Sequence, residues 1–281
     1  MPRLTAFIAT IAIVIAAAAI APPAVAQFNI FGLSNTTPPP AALAKQLDKP
    51  VPPSLLATLA RASHEGLAFT GKATASDMYA IKGPRPNSGS KSGLLYIGAD
   101  FCPYCAGERW GLMLTVLRFG KLNGVRYTFS SSTDVYPNTP TVTFLHASFT
   151  SPYLDFQAIE TADREQHPLV QPNALQNKIF TTFDAPPYVP YSESIPFVYV
   201  NGQYMLGSLL VTPKDIDGKT WGQIAATLAN PKSPLFKRVM PRVNLLTAAI
   251  CRGNGGQPID VCTAPGVKAA DGVLGTLLPR L

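Results

Sequence analysis

Leu94-Leu95-Tyr96-Ile97-Gly98 is an uninterrupted apolar run of the length of a buried strand. The period then changes. From Pro103 to about Phe119, Trp110, Leu114, Leu117 and Arg118 recur at spacings of three and four, and Leu112, Val116 and Phe119 widen the apolar stripe. That pattern predicts a helix, with Gly120 as its stop. Val125 to Ser130 alternates as a second strand, so the three segments predict a β-α-β unit. Further on, Val142–Leu145 and Tyr153–Ile159 read as strands, and Asp163–Phe180 as partly helical. Ile195–Val200 is a β-rich run followed by Asn201-Gly202, a strong hairpin signal, with Gln203–Leu206 as the returning strand. Trp221–Leu228 and Phe236–Ala249 read as helices, with Cys251 just past the second. Ahead of all this, Ser54 fits an N-cap for a helix through Leu55, Leu56, Leu59 and Ala62. Pro84–Gly93 reads as a turn-rich loop.

The N-terminus follows a different logic. Arg3 is the only charge among the first 44 residues, and Leu4 to Ile20 is almost continuously apolar. Pro22-Pro23 and then Ala24-Val25-Ala26 follow, as in a secretory signal peptide over residues 1–26. The rival reading is an uncleaved anchor through residues 4–25. Either way the remainder is expected outside the cytoplasm, in the cell envelope or secreted. Residues 27–53, rich in Pro, Asn, Thr and Ala, read as an extended tether with little core.

Only 14% of the 281 residues are charged and 47% are apolar. This excludes a disordered charged tail and a nucleic-acid binder built on a dense basic surface. The net charge of +7 favours weak attraction to anionic surfaces and identifies no partner.

Export decides how the four cysteines are read. They form two close pairs, Cys102-x2-Cys105 and Cys251-x10-Cys262, far apart in sequence. The spacing predicts disulfides Cys102–Cys105 and Cys251–Cys262. Cys102 at a helix N-cap would meet unpaired N–H groups and the positive end of the helix dipole, which favour its thiolate. Pro103 suits the first helical position. Cys105, one turn in, would be shielded and would resolve a mixed disulfide. Metal binding would need two more ligands, and His64, His146 and His167 stand at no finger spacing, so no metal is expected. An inert staple is the other reading, but so small a loop constrains the unfolded chain little. Cys251–Cys262 reads as a pin for the C-terminal helix or as a second redox centre. No nucleophile elbow, phosphate loop or zincin motif appears.

These residues resemble the thioredoxin superfamily: the Leu94–Gly98 strand, Cys102-Pro103-Tyr104-Cys105 opening a helix, and Ile195-Pro196 opening a hairpin. The resemblance covers roughly residues 90–265 and points to the branch of exported thiol–disulfide oxidoreductases. FCPYCAGERWGL and TAAICRGNGGQPIDVC also resemble an uncharacterised family of exported prokaryotic thioredoxin-like proteins. It implies an α/β fold with a central mixed sheet flanked by helices, an insertion at about 131–194 and a C-terminal helical extension. The domain would span 54–265, with 266–281 as a tail. It implies that Pro196 is cis and, with Ile195, presents substrate backbone, while Tyr104 lies either on the substrate rim or in solvent. It implies no cofactor beyond the Cys102–Cys105 disulfide. The partners would be exported protein thiols and disulfides and a membrane or extracytoplasmic redox partner, not nucleic acid. Where a thioredoxin keeps a buried acid, this chain has Tyr96. Glu108 is then a candidate for proton transfer to Cys105, or an exposed carboxylate pairing with Arg109 or Lys121. A binding or accessory module with an idle redox pair is the alternative function.

Overall fold

Ser92–Gly98 is buried at every position, as an unbroken apolar run requires of a strand covered on both faces. It is an interior strand of the chain's main sheet in a computed structural model that describes residues 38–280. The expected signal segment and residues 27–37 of the expected tether lie outside the described residues.

In chain order the elements are α1 (Ala41–Ala44), α2 (Pro53–Glu65), β1 (Met78–Ala80), β2 (Ser92–Gly98), α3 (Pro103–Val116), β3 (Lys121–Asn123), β4 (Arg126–Phe129), β5 (Pro140–Thr143), β6 (Ser148–Thr150) and β7 (Leu154–Glu160). Then follow α4 (Ala174–Phe183), β8 (Phe197–Val200), β9 (Tyr204–Leu206), α5 (Pro213–Ile216), α6 (Trp221–Leu228), α7 (Pro234–Gly253), α8 (Ile259–Cys262) and α9 (Pro265–Leu274). The main sheet has the order β1-β9-β8-β2-β7, with β7 parallel to β2 and the other pairs antiparallel. The class is therefore the expected one: a mixed sheet flanked by helices and followed by C-terminal helices.

Strand alternation sorts the core into two faces. Leu94 and Tyr96 of β2 with Val198 and Val200 of β8 join the large cluster that holds Trp110 and Met113 of α3 and Leu245 and Ala249 of α7. Leu95 and Ile97 with Phe197 and Tyr199 join Ile179, Phe180 and Phe183 of α4 on the other side. The hairpin between β8 and β9 turns at Asn201 (φ 56°) and Gly202 (φ 75°), the paired left-handed residues of a type I′ turn. A side chain at Gly202 would also meet the Gly83 carbonyl oxygen at 2.2 Å.

Several boundaries differ from expectation. The strand expected at Val125–Ser130 does not join the main sheet; β4 pairs with β5. The other edge of β4 is taken by residues 48–51: Asp48 N–H donates to Tyr127 O, Tyr127 N–H to Lys49 O and Val51 N–H to Val125 O, each at 2.9 Å. With both edges paired, β4 has none left for β2. The β-α-β unit therefore closes through β7, so the expected insertion at 131–194 supplies the parallel partner of β2 in the main sheet rather than an appendage. The end of the expected tether likewise packs, forming α1 and the partner of β4. Pro52, not Ser54, caps α2, with Pro53 at its first turn, where a missing N–H costs nothing. The stretch 163–180 becomes helical only from Ala174, where an Asn173–Gln176 capping box starts α4.

The expected C-terminal tail is a packed helix. Val267, Ala270 and Leu274 of α9 are buried in the cluster that includes α7. Residues 279–280 then return to β1: Pro279 bridges Ala80, Arg280 N–H donates to Ala80 O at 2.8 Å, and the Arg280 guanidinium lies 3.4 Å from the Tyr79 ring centre. Among the described residues no helix is long and apolar enough to cross a membrane.

Cys251 lies inside the last turn of α7, not past it, and is disulfide-bonded to Cys262 of α8 with Cα atoms 5.7 Å apart. The bond closes a short loop between the two helices. Replacing both cysteines by serine is expected to cost about 2–3 kcal/mol by chain entropy. Urea unfolding should show a lower midpoint at an essentially unchanged slope.

Candidate active site

Cys102 is the N-cap of α3 in extended conformation, and Pro103 occupies the first helical position. The cap brings helix donors to the sulfur: Cys105 N–H donates to Cys102 Sγ at 3.3 Å. From across the site, the Ile195 carbonyl accepts from the Cys102 thiol at 3.7 Å, and the Ile195–Pro196 bond is cis. The two expected halves of the site, 93 residues apart, therefore meet. Cys102 is 5% exposed and Cys105 is wholly buried, both packed with Ala99 and Phe101 against half-buried Ala162 and Ile195. Both are free thiols, so the expected Cys102–Cys105 disulfide is open in this structure.

The thiols are electrostatically unequal. Burial pushes Cys102 up, but hydrogen bonds from the Cys105 side chain and backbone and the Arg109 charge leave it below an ordinary thiol. Burial and the hydrogen bond to Cys102 hold Cys105 well above one. The asymmetry assigns the thiolate to Cys102 and the proton to Cys105.

Beneath the thiols lies a buried ion cluster. Arg109 of α3, with no exposure, donates from Nε to Glu160 Oε1 at 2.9 Å and from Nη2 to Glu160 Oε2 at 2.5 Å. Its Nη2 also stands 3.1 Å from Asp100 Oδ1, outside hydrogen-bond geometry. Burial pushes the Asp100 carboxyl up to about 7 against the pull of Arg109. Tyr96 of β2 is wholly buried in the same region, and its hydroxyl has no hydrogen-bond partner.

Glu108 corrects its expected reading. It is 1% exposed, and it pairs with neither Arg109 nor Lys121; Oε2 accepts from Leu210 N–H at 2.8 Å and Oε1 has no partner. Its face of α3 looks toward the 210–211 loop, since side chains at Gly107 and Gly111 would meet Val211 and Leu210 at 2.2 Å. It makes no hydrogen bond to either thiol. Burial pushes it up to about 8.

Tyr104 is 39% exposed, and its ring stands edge-on to Tyr136 at 6.3 Å, forming an aromatic rim beside the N-cap. The proline loop is anchored from behind. The Asp184 carboxylate accepts from Ser194 N–H, its carbonyl accepts from Glu193 N–H at 2.9 Å, and burial pushes the carboxyl up to about 7. Cys251 and Cys262 form their own disulfide on α7 and α8. His64, His146 and His167 are exposed. Among the described residues no group of three or more potential ligands could hold a metal ion.

Arg109, Glu160 and Asp184 were missed by sequence reasoning. A cation four residues after Cys105 and an acid closing the alternating Tyr153–Ile159 strand pattern were the available signals for the first two. Asp184 carried none.

A family model described as a domain of unknown function, DUF929, matches residues 79–182. The match takes in β1 through most of α4, with both thiols and the ion cluster, and stops short of Ile195-Pro196. No curated protein and no solved structure matches the chain.

Glu108 carries a pH signature. Its carboxyl is held at about 8 in the fold, against 4.5 ordinarily, so the folded chain keeps a proton that the unfolded chain releases. Its contribution to stability is full below the ordinary value and is lost as pH rises to about 8. Glu108→Gln mimics the protonated acid. Its stability advantage over wild type, measured by urea unfolding across pH, is expected to grow through that window and level off above it.

Proposed function

We propose that the protein is an exported, thioredoxin-like thiol–disulfide oxidoreductase that acts on the disulfides of other exported proteins through Cys102 and Cys105. One observation carries the reading: Cys102 caps a helix with an N–H on its sulfur and faces the Ile195 carbonyl across the site. A structural disulfide needs neither feature.

In the oxidising direction, a substrate thiolate attacks Cys102 Sγ of the closed disulfide. A substrate–Cys102 bond forms, the Cys102–Cys105 bond breaks, and its electron pair goes to Cys105. A second substrate thiolate then attacks the first substrate sulfur, and Cys102 leaves as the thiolate that the helix N-terminus favours. Substrate gains a disulfide and the protein ends as the dithiol seen here. Run backwards, the same steps reduce substrate. Oxidation or isomerisation fits an oxidising compartment best, with a membrane or extracytoplasmic partner resetting the pair. No cofactor takes part, because the cysteines carry both electrons. The half-buried Ile195-Pro196 segment would present backbone to an extended peptide, and the Tyr104–Tyr136 rim would cover its apolar side chains.

Incubation with an unfolded secretory protein that carries scrambled disulfides tests this, because Cys102 can then attack a substrate disulfide and release one substrate thiolate. Cys105→Ser is expected to accumulate a covalent mixed disulfide through Cys102, and Cys102→Ser to lower exchange to the uncatalysed level. Alkylation of Cys102 should reach half its plateau below the ~8.5 of an ordinary thiol. Full exchange activity in Cys102→Ser, or no adduct with slow alkylation, would replace this reading with a binding module whose redox pair is idle.

A further inference from the structure

The resolving thiol has a neighbour that the scheme above leaves unused. A methyl group at Gly98 would lie 2.0 Å from the Tyr96 hydroxyl oxygen and 3.1 Å from Cys105 Sγ. Oxygen and sulfur thus border the same small space over Gly98, separated by no more than the sum of those distances. The hydroxyl is fully buried and donates to nothing, an arrangement that native interiors rarely keep without a use.

We infer that Tyr96 is a hydrogen-bond donor held in reserve for Cys105, engaged when the Cys102–Cys105 bond opens and negative charge appears on the Cys105 sulfur. The inference rests on the proposed thiol–disulfide chemistry. An attacking thiolate forms a bond to Cys102 Sγ, the Cys102–Cys105 bond breaks, and its electron pair passes to Cys105 Sγ. The Tyr96 O–H then turns to that sulfur, and the proton stays on oxygen. Burial keeps the phenol a far weaker acid than in water, so it stabilises the thiolate without ionising.

The other groups that act on Cys105 have different parts. Cys102 opposes its ionisation, the Ala99 backbone and the Arg109 charge favour it, and Arg109 is bound through Nε and Nη2 to Glu160 and faces Asp100. Arg109 therefore supplies field from the helix side, and Tyr96 supplies a directed donor from the sheet side. Gly98 is the residue that allows the approach.

Tyr96→Phe in the full chain tests this, because it keeps the ring and removes only the hydroxyl. A hydrogen bond to a charged group is worth at least about a factor of ten. Opening of the disulfide by glutathione is therefore expected to slow about tenfold or more, since a leaving thiol of higher pKa leaves more slowly. In a Cys102→Ser background, the alkylation profile of Cys105 should move to higher pH by about one unit. The reduced variant should be as stable as wild type or more so, because the lost hydroxyl had no partner. Gly98→Ala, which fills the space between oxygen and sulfur, provides a second perturbation with the same two expected shifts, should Tyr96→Phe fold poorly. An opening rate and a Cys105 profile equal to wild type overturn the inference, as does loss of stability with an unchanged rate. The Cys105 titration needs no protein substrate. A shifted profile in a protein that traps no substrate would remove the redox reading and leave the Tyr96–Cys105 pairing standing.

Discussion

Arg109 carries a full charge at zero exposure in the middle of α3, and a charge so placed must find a counter-charge within the fold. Glu160, at the last position of β7, meets it with both oxygens. That one bidentate pair ties the thiol-bearing helix to β7, the strand that pairs in parallel with β2. It accounts for the route of the chain: residues 117–153 must travel far enough for β7 to end beside α3. It also adds to the field at the thiols, because the same guanidinium acts on Cys102, Cys105 and Asp100. Removing either partner would strand the other charge in the core.

The parts of this fold that were legible are those written in contiguous residues. β2, α3, the β8–β9 hairpin and α6 each announce themselves by apolar period or by a turn pair, and Cys102 at the N-cap follows from Cys-Pro-Tyr-Cys opening a helical stripe. Their meeting with Ile195-Pro196 was available through resemblance, not through spacing. The choice of β7 over β4 as the mate of β2 was not legible. It depends on residues 48–51 occupying β4's free edge, a pairing across more than seventy residues that leaves no local trace.

Glu108 shows the same limit at a single side chain. Adjacent Glu108 and Arg109 read as the polar face of an amphipathic helix. Yet all residues of α3 but Tyr104 are buried, because sheet, α7 and the 210–211 loop together enclose it. Amphipathic reasoning assumes one face in water, and a helix surrounded by packing partners breaks that assumption. The hint lay in composition: with 14% charged residues, few charges were available and each was worth questioning.

The return of residues 279–280 to β1 has a consequence for life in a crowded compartment. β1 is a border of the main sheet, and a border strand exposes a row of amide and carbonyl groups that any extended polypeptide can adopt as a template. Pro279 and Arg280 close part of that row against Ala80, with proline offering no amide of its own and arginine lying over Tyr79. A protein whose proposed work is to handle unfolded chains meets extended strands constantly. Residues 279–280 thereby shorten the stretch of that border left open to a foreign strand.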